Sequence, residues 1–155
     1  MTEEMTRYYA RQAAEYGQQY EHPRFQNDLR AIRNIIPDVF RGRRVYEVAC
    51  ETGRWTKYLA QVAASIYAID LNESMLEVAR KRDYPPDVVT FAKADHYMSN
   101  LNDAKFSGGL VGFWLLHVDF ARMEEFLAAF HSWLESNAIV LMFDDLQTPG
   151  RFHAR

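Results

Sequence analysis

Apolar positions along this chain fall into two regimes. Short, nearly continuous apolar runs at residues 44–48, 65–70, 88–93, 109–114 and 138–143 predict five strands covered on both faces. Between and before them, apolar residues recur at helical spacing. Phe25, Leu29, Ile32 and Ile36 predict an amphipathic helix over 24–36 that Pro37 stops. Residues 55–62 carry a second helical pattern, and Ser74 suits the N-cap of a third that runs through Arg82. Asp119 precedes a wide apolar stripe of Phe120, Met123, Phe126, Leu127, Phe130 and Leu134. Residues 3–20 are polar with tyrosines at 8, 9, 16 and 20, which predicts a loosely packed helix before a turn at Glu21-His22-Pro23. Strands alternating with helices imply parallel pairing and right-handed crossovers.

Length and composition narrow this picture. The chain has 155 residues, enough for one domain, and 48% of them are hydrophobic. A net charge of −3 gives no sign of a nucleic-acid surface, and Arg41, Arg43 and Arg44 read as a solvated turn before a strand. One cysteine, Cys50, excludes an intrachain disulfide and is compatible with the cytoplasm. No apolar run is long enough to cross a bilayer, and Met1-Thr2-Glu3-Glu4 does not begin a signal peptide. A cytoplasmic protein is expected, without nucleic-acid or membrane partners and without a metal site. The 14% share of aromatic residues suggests a lined cleft as well as a core.

Candidate chemistry begins where the first strand meets a loop, in Glu47-Val48-Ala49-Cys50-Glu51-Thr52-Gly53-Arg54-Trp55-Thr56. A strand–loop–helix junction exposes backbone N–H groups to an anionic or polar ligand, provided side chains stay clear. The dinucleotide fingerprint would need small residues at 49, 51 and 54, and Glu51 and Arg54 break it. A nicotinamide-dependent oxidoreductase is therefore a poor reading. With Gly53 as the third position, the loop resembles the Glu-x-Gly-x-Gly-x-Gly loop of class I S-adenosylmethionine (SAM) dependent methyltransferases of the bacterial small-molecule type. Residues 68–76, Ala94-Asp95, the 112–118 segment and Phe143-Asp144-Asp145 resemble later motifs of that family in order and spacing.

The resemblance implies a Rossmann-like three-layer α/β/α fold with a mostly parallel sheet in the order 3-2-1-4-5. It also implies methyl transfer from SAM to a small-molecule acceptor, leaving S-adenosylhomocysteine (SAH). Asp70 would take the ribose hydroxyls, or else cap the turn after it. Asp95 would meet the adenine amino group, with His96, Leu71 and Met75 nearby. His96 could equally be a solvated loop residue, and Met75 a core residue. Glu47 would help hold the methionine end of the cofactor, or bond the loop backbone. Ala49, Cys50, Glu51, Gly53 and Phe113 complete the expected cofactor set. His117, past the fourth strand, is the candidate base or acceptor-binding group; its alternative is a local hydrogen bond. Tyr16 and Tyr20 are candidates for a lid.

Two features strain the resemblance. Ala49 fits if its φ is negative, whereas Glu51 puts a charged side chain where the ligand should approach. The chain also ends soon after the fifth strand, so the last two strands of the usual fold are expected to be missing. Residues 138–143 would then be an apolar edge strand that invites a second copy. The expected division is a helical cap at 1–37, the cofactor-binding core at 38–146 and a polar tail at 147–155. The alternative function is an impaired or truncated methyltransferase-like module that binds or dimerises.

Overall fold

The computed structural model describes residues 18–97 and 105–145; expectations for Tyr8, Tyr9, Tyr16 and the tail lie outside them. Five strands form one parallel sheet: β1 (Arg44–Val48), β2 (Ser65–Asp70), β3 (Val89–Lys93), β4 (Phe106–Gly112) and β5 (Leu134–Phe143). Their order is β3-β2-β1-β4-β5, as expected. Register is set by β1: Glu47 lies opposite Ala68 on one side and Leu110 on the other. Strand alternation divides the core between two layers. Val45, Ile66, Ala68 and Leu110 pack with Leu29, Ile36, Phe40, Leu59 and Leu76. These come from α1 (Gln26–Phe40), α2 (Thr56–Leu59) and α3 (Glu73–Arg80). Tyr46, Val48, Ile69 and Val111 pack with Phe126 and Phe130 of α4 (Met123–Ser132) on the opposite face.

Several boundaries differ from expectation for identifiable reasons. Pro37 lies inside α1, which continues to Phe40, because Ile36 and Phe40 are both fully buried and their packing outweighs one missing backbone hydrogen bond. Asn72, not Ser74, caps α3: its side chain accepts from the Ser74 N–H at 3.0 Å. Asp119 does cap, but it caps a 3-10 turn, Phe120–Arg122, that leads into α4. β4 begins at Phe106 and ends at Gly112, earlier than the expected 109–114, so Gly108 and Gly109 both lie inside it. A Cβ on Gly109 would come within 2.5 Å of the Phe130 ring, so this glycine lets α4 sit close on the sheet. Leu134 begins β5 instead of ending the helix, and the β4–β5 register shifts between Phe106 and Gly108. β5 is a sheet edge with Ile139 and Val140 about two-fifths exposed (41% and 40%).

Candidate functional site

The carboxyl ends of β1, β2 and β4 converge on the loop at 49–55. Its backbone has the conformation of a glycine loop at all three positions: φ is +54° at Ala49, +50° at Glu51 and +72° at Gly53. The condition under which Ala49 would fit without strain, a negative φ, is therefore not met. Both non-glycine residues occupy the left-handed region, where a Cβ costs about 1–2 kcal/mol. Gly53 cannot be replaced without strain, and a Cβ there would also meet the Tyr84 hydroxyl at 2.4 Å and Ala79 at 3.2 Å. That hydroxyl is buried beneath the loop with no hydrogen-bond partner among the described residues.

Asp70 explains how the loop keeps this shape. One carboxylate oxygen accepts from the Glu51 N–H at 2.9 Å, and the other accepts from the Asn72 N–H at 2.8 Å. The acid thus ties the β1 loop to the β2 turn, and each oxygen keeps a lone pair for a further donor. Arg82 adds a second tie, donating from Nε to the Thr52 carbonyl at 2.6 Å. Sequence spacing gave no hint of it, since 30 residues separate the pair.

Glu47 is 1% exposed and accepts from the Thr56 hydroxyl at 2.7 Å. The partner is thus a side chain of α2, which starts immediately after the loop. Burial raises the Glu47 carboxyl to about 8, and neighbouring Glu51 and Asp70 push the same way. Glu51 is raised to about 7, by burial first and then by Asp70, with Arg54 opposing. Burial raises Asp70 too, against its backbone hydrogen bonds. Three acids therefore share one partly dry corner.

This sets the sign of a pH effect. The folded chain keeps a proton on Glu47 up to about pH 8, whereas an unfolded carboxyl releases it near 4.5. Between those values unfolding releases protons, so stability falls as pH rises through the window. The parent chain should melt at a higher temperature near pH 5 than near pH 8. Glu47→Gln, which still accepts from Thr56, should reduce that slope in paired thermal scans. An unchanged slope would remove Glu47 as its source.

The remaining expected site residues divide into two groups. Leu71 is 55% exposed beside Asp70, as an apolar wall for a planar ring would be. Asp95 lies half-buried after β3, one oxygen accepting from the Tyr97 N–H at 2.9 Å. Phe113, at φ +54°, follows β4, and its ring lies 5.1 Å from that of Tyr20 and 5.2 Å from that of Phe143. His117 is exposed at the end of a 3-10 turn, Leu115–His117, with its ring 5.6 Å from Trp114. Asp144 fixes that turn by accepting from the Leu116 N–H at 3.0 Å.

Three residues turn inward. Cys50 and Met75 are buried, and burial raises the Cys50 thiol; the Cys50 backbone is spent within the fold, donating to the Ile69 carbonyl and accepting from the Gly53 N–H. His96 departs most from its expected role. It is 6% exposed, with one ring nitrogen 3.1 Å from the Tyr46 hydroxyl and the other 3.1 Å from the Phe126 carbonyl. Both nitrogens are satisfied in the core under α4, and burial lowers its pKa. A histidine next to a crevice acid reads the same in sequence whether it points out or in.

The arrangement suits a nucleoside-bearing ligand: a glycine-type loop backbone, a strand-end acid at Asp70 and an apolar ledge at Leu71. The family comparisons agree. Residues 45–137 match the methyltransferase domain family model, and the chain belongs to that family, with the class I SAM-dependent methyltransferase fold. It is 35% identical over 77 residues to a demethylmenaquinone methyltransferase of Clavibacter sepedonicus, covering 50% of this chain and 31% of that one. A structure of DhpI with SAM and HEP is 27% identical, with a TM-score of 0.74, over 88% of this chain and 62% of that chain. The fold is also that of the N-methyltransferase NodS from Bradyrhizobium japonicum WM9, solved with SAH (14% identity, TM-score 0.67, 80% and 64% covered). The chain spans under two thirds of the length of each of these relatives.

Proposed function

We propose that this chain binds SAM at the 49–55 loop and transfers its methyl group to a small-molecule acceptor. The observation that carries the reading is the Asp70 clasp on a loop whose backbone is left-handed at 49, 51 and 53. Bound SAM supplies an electrophilic methyl on a sulfonium and departs as neutral SAH when the acceptor's lone pair takes that methyl. The protein's part is to orient and to exclude water. Asp70 would hold the ribose hydroxyls and Asp95 the adenine amino group, with Leu71 against the ring. Glu47 would face the cationic methionine end, with Glu51 crowding the same approach. Phe113, Tyr20 and Trp55 would wall the methyl side, with the cap at 1–37 folding over the core at 38–146. His117, held by the turn that Asp144 secures, would take the acceptor's proton when the acceptor is a hydroxyl.

Calorimetric titration with SAH tests the reading. Micromolar binding is expected, and no binding at any accessible concentration would overturn it. Among the described residues no helix is long and apolar enough to cross a membrane. We also propose a second copy of the chain as partner along the β5 edge. It rests on the exposure of Ile139 and Val140, and a monomer at all concentrations in sedimentation would end it.

A further inference from the structure

A cleft of about 240 Å³ opens between the 3-10 turn at Gln18–Glu21, helix α1, the loop at 49–55 and helix α2. Its lining is cationic. Arg33 of α1, Lys57 of α2 and Arg54 of the loop all border it, beside Gln26, Tyr20 and Tyr58; Glu21, exposed, is the one carboxylate among the described lining residues. Arg33 and Lys57 converge on the same tyrosine. The Arg33 guanidinium lies 3.5 Å from the Tyr58 hydroxyl, and the Lys57 ammonium lies 4.8 Å from the Tyr58 ring centre. Among the described residues neither Arg33 nor Lys57 belongs to an ion pair. Burial would raise the Tyr58 hydroxyl, but the hydrogen bonds and charges of Arg33 and Lys57 outweigh it and hold the group below its ordinary range. Arg54 lies 4.4 Å over the Tyr20 ring, at the boundary between this cleft and the aromatic wall of the crevice. Trp55 lines the cleft and also stacks edge-on against Phe143 at 4.9 Å. Trp55 therefore joins the cleft to the aromatic cluster of Phe113 and Phe143 at the ends of β4 and β5.

Arg33 and Lys57, half-buried and outside any ion pair among the described residues, carry a cost beside this open cavity that a bound oxyanion would offset. Arg and Lys together offer a fork and a point charge to the same group. The crevice on the other side of the loop has the opposite character, with Glu47, Glu51 and Asp70 gathered there. A ligand that is anionic at one end is thereby directed to the cleft and away from the acidic corner.

We propose that this cleft is the subsite for an anionic group, phosphate-like or carboxylate, on the methyl acceptor. The inference rests on the methyl-transfer reading for the word acceptor, and on the cleft itself for the anion. Arg33, Lys57 and Arg54 hold the group, and Tyr58 donates to it. Charge steering makes the capture weaken as salt is raised.

The full chain is titrated with inorganic phosphate and with acetate, each with and without saturating SAH. Parent, Arg33→Gln and Lys57→Gln are compared, and SAH affinity is measured separately for each. Millimolar binding of at least one anion is expected, weakened about tenfold in each variant, with SAH affinity held within about twofold. Preference for phosphate or for acetate identifies the acceptor's anionic group. Binding of neither anion would overturn the proposal, as would equal binding by parent and variants. Displacement of the anion by SAH would also overturn it, because the cleft would then hold the cofactor's own carboxylate. If SAH fails to bind the parent while anion binding still depends on Arg33 and Lys57, the methyl-transfer reading falls and takes the acceptor assignment with it, leaving a plain anion site.

Discussion

Glu51→Gly should give a protein that is both more stable and tighter for SAH than the parent. Two physical effects act in the same direction. The first is conformational: Glu51 sits at φ +50°, and glycine adopts that region without the Cβ clash. Part of the gain is returned, since glycine loses more freedom on folding, and the net is about 1 kcal/mol. For a chain of this size that is a rise of about 2–4 °C in Tm. The second effect is electrostatic. The Glu51 carboxyl is half-buried, raised to about 7, and Asp70 is the largest charge acting on it. Near neutral pH it is partly ionised beside another acid, and the carboxylate of a bound cofactor would add a third charge. Like charges about 4 Å apart repel by about 1–4 kcal/mol, depending on the effective dielectric. Removing one should improve SAH affinity by about tenfold or more. The gain should be larger near pH 8 than near pH 6, where Glu51 is mostly neutral. A variant that melts lower than the parent would refute the strain argument. One that binds SAH no better at either pH would show that the side chain already points clear or pairs with the cofactor's ammonium.

The frame of this site was legible in the sequence because strand-end residues are fixed by periodicity. Once 44–48 and 65–70 read as parallel strands, Glu47 and Asp70 had to end at the same edge of the sheet, and β1 and β2 have the expected bounds. The strand order came with the resemblance to the methyltransferase family, and the sheet has it. What periodicity does not encode is the direction of a side chain in a loop. His96 follows Asp95 directly, yet turns under α4 to the Tyr46 hydroxyl and the Phe126 carbonyl. The loop's left-handed residues were equally hidden, because an alanine and a glutamate give no local signal for φ above zero. They keep that conformation because Asp70, Arg82 and the packing of Gly53 on Ala79 hold the loop from three sides. The cationic cleft went unread for a different reason. Its charges come from α1, the loop and α2, and no single stretch of chain collects them.

Asp70→Asn should cost more than any other single change in the crevice. The carboxylate serves two backbone donors with two different oxygens, Glu51 N–H on one and Asn72 N–H on the other. An amide has one oxygen and turns an NH2 group toward the second donor, so one charge-assisted bond is replaced by opposed donors. Losing such a bond costs about 1.5–3 kcal/mol. Some of this is recovered, because burial raises Asp70 and the substitution removes a charge from beside Glu47 and Glu51. The stability loss should therefore be modest, about 1 kcal/mol. Affinity has no such compensation. A ribose presents two donors that the carboxylate can accept together, and the amide can accept only from one. With the loop also loosened, SAH binding should weaken by about 100-fold, or about 3 kcal/mol. The two losses separate when SAH is titrated well below the melting temperature of the variant. Full SAH affinity in a less stable Asp70→Asn chain would reduce Asp70 to a clip between two loops. Loss of affinity in a chain that still folds and melts cooperatively would make it the residue by which this fold grips its nucleoside.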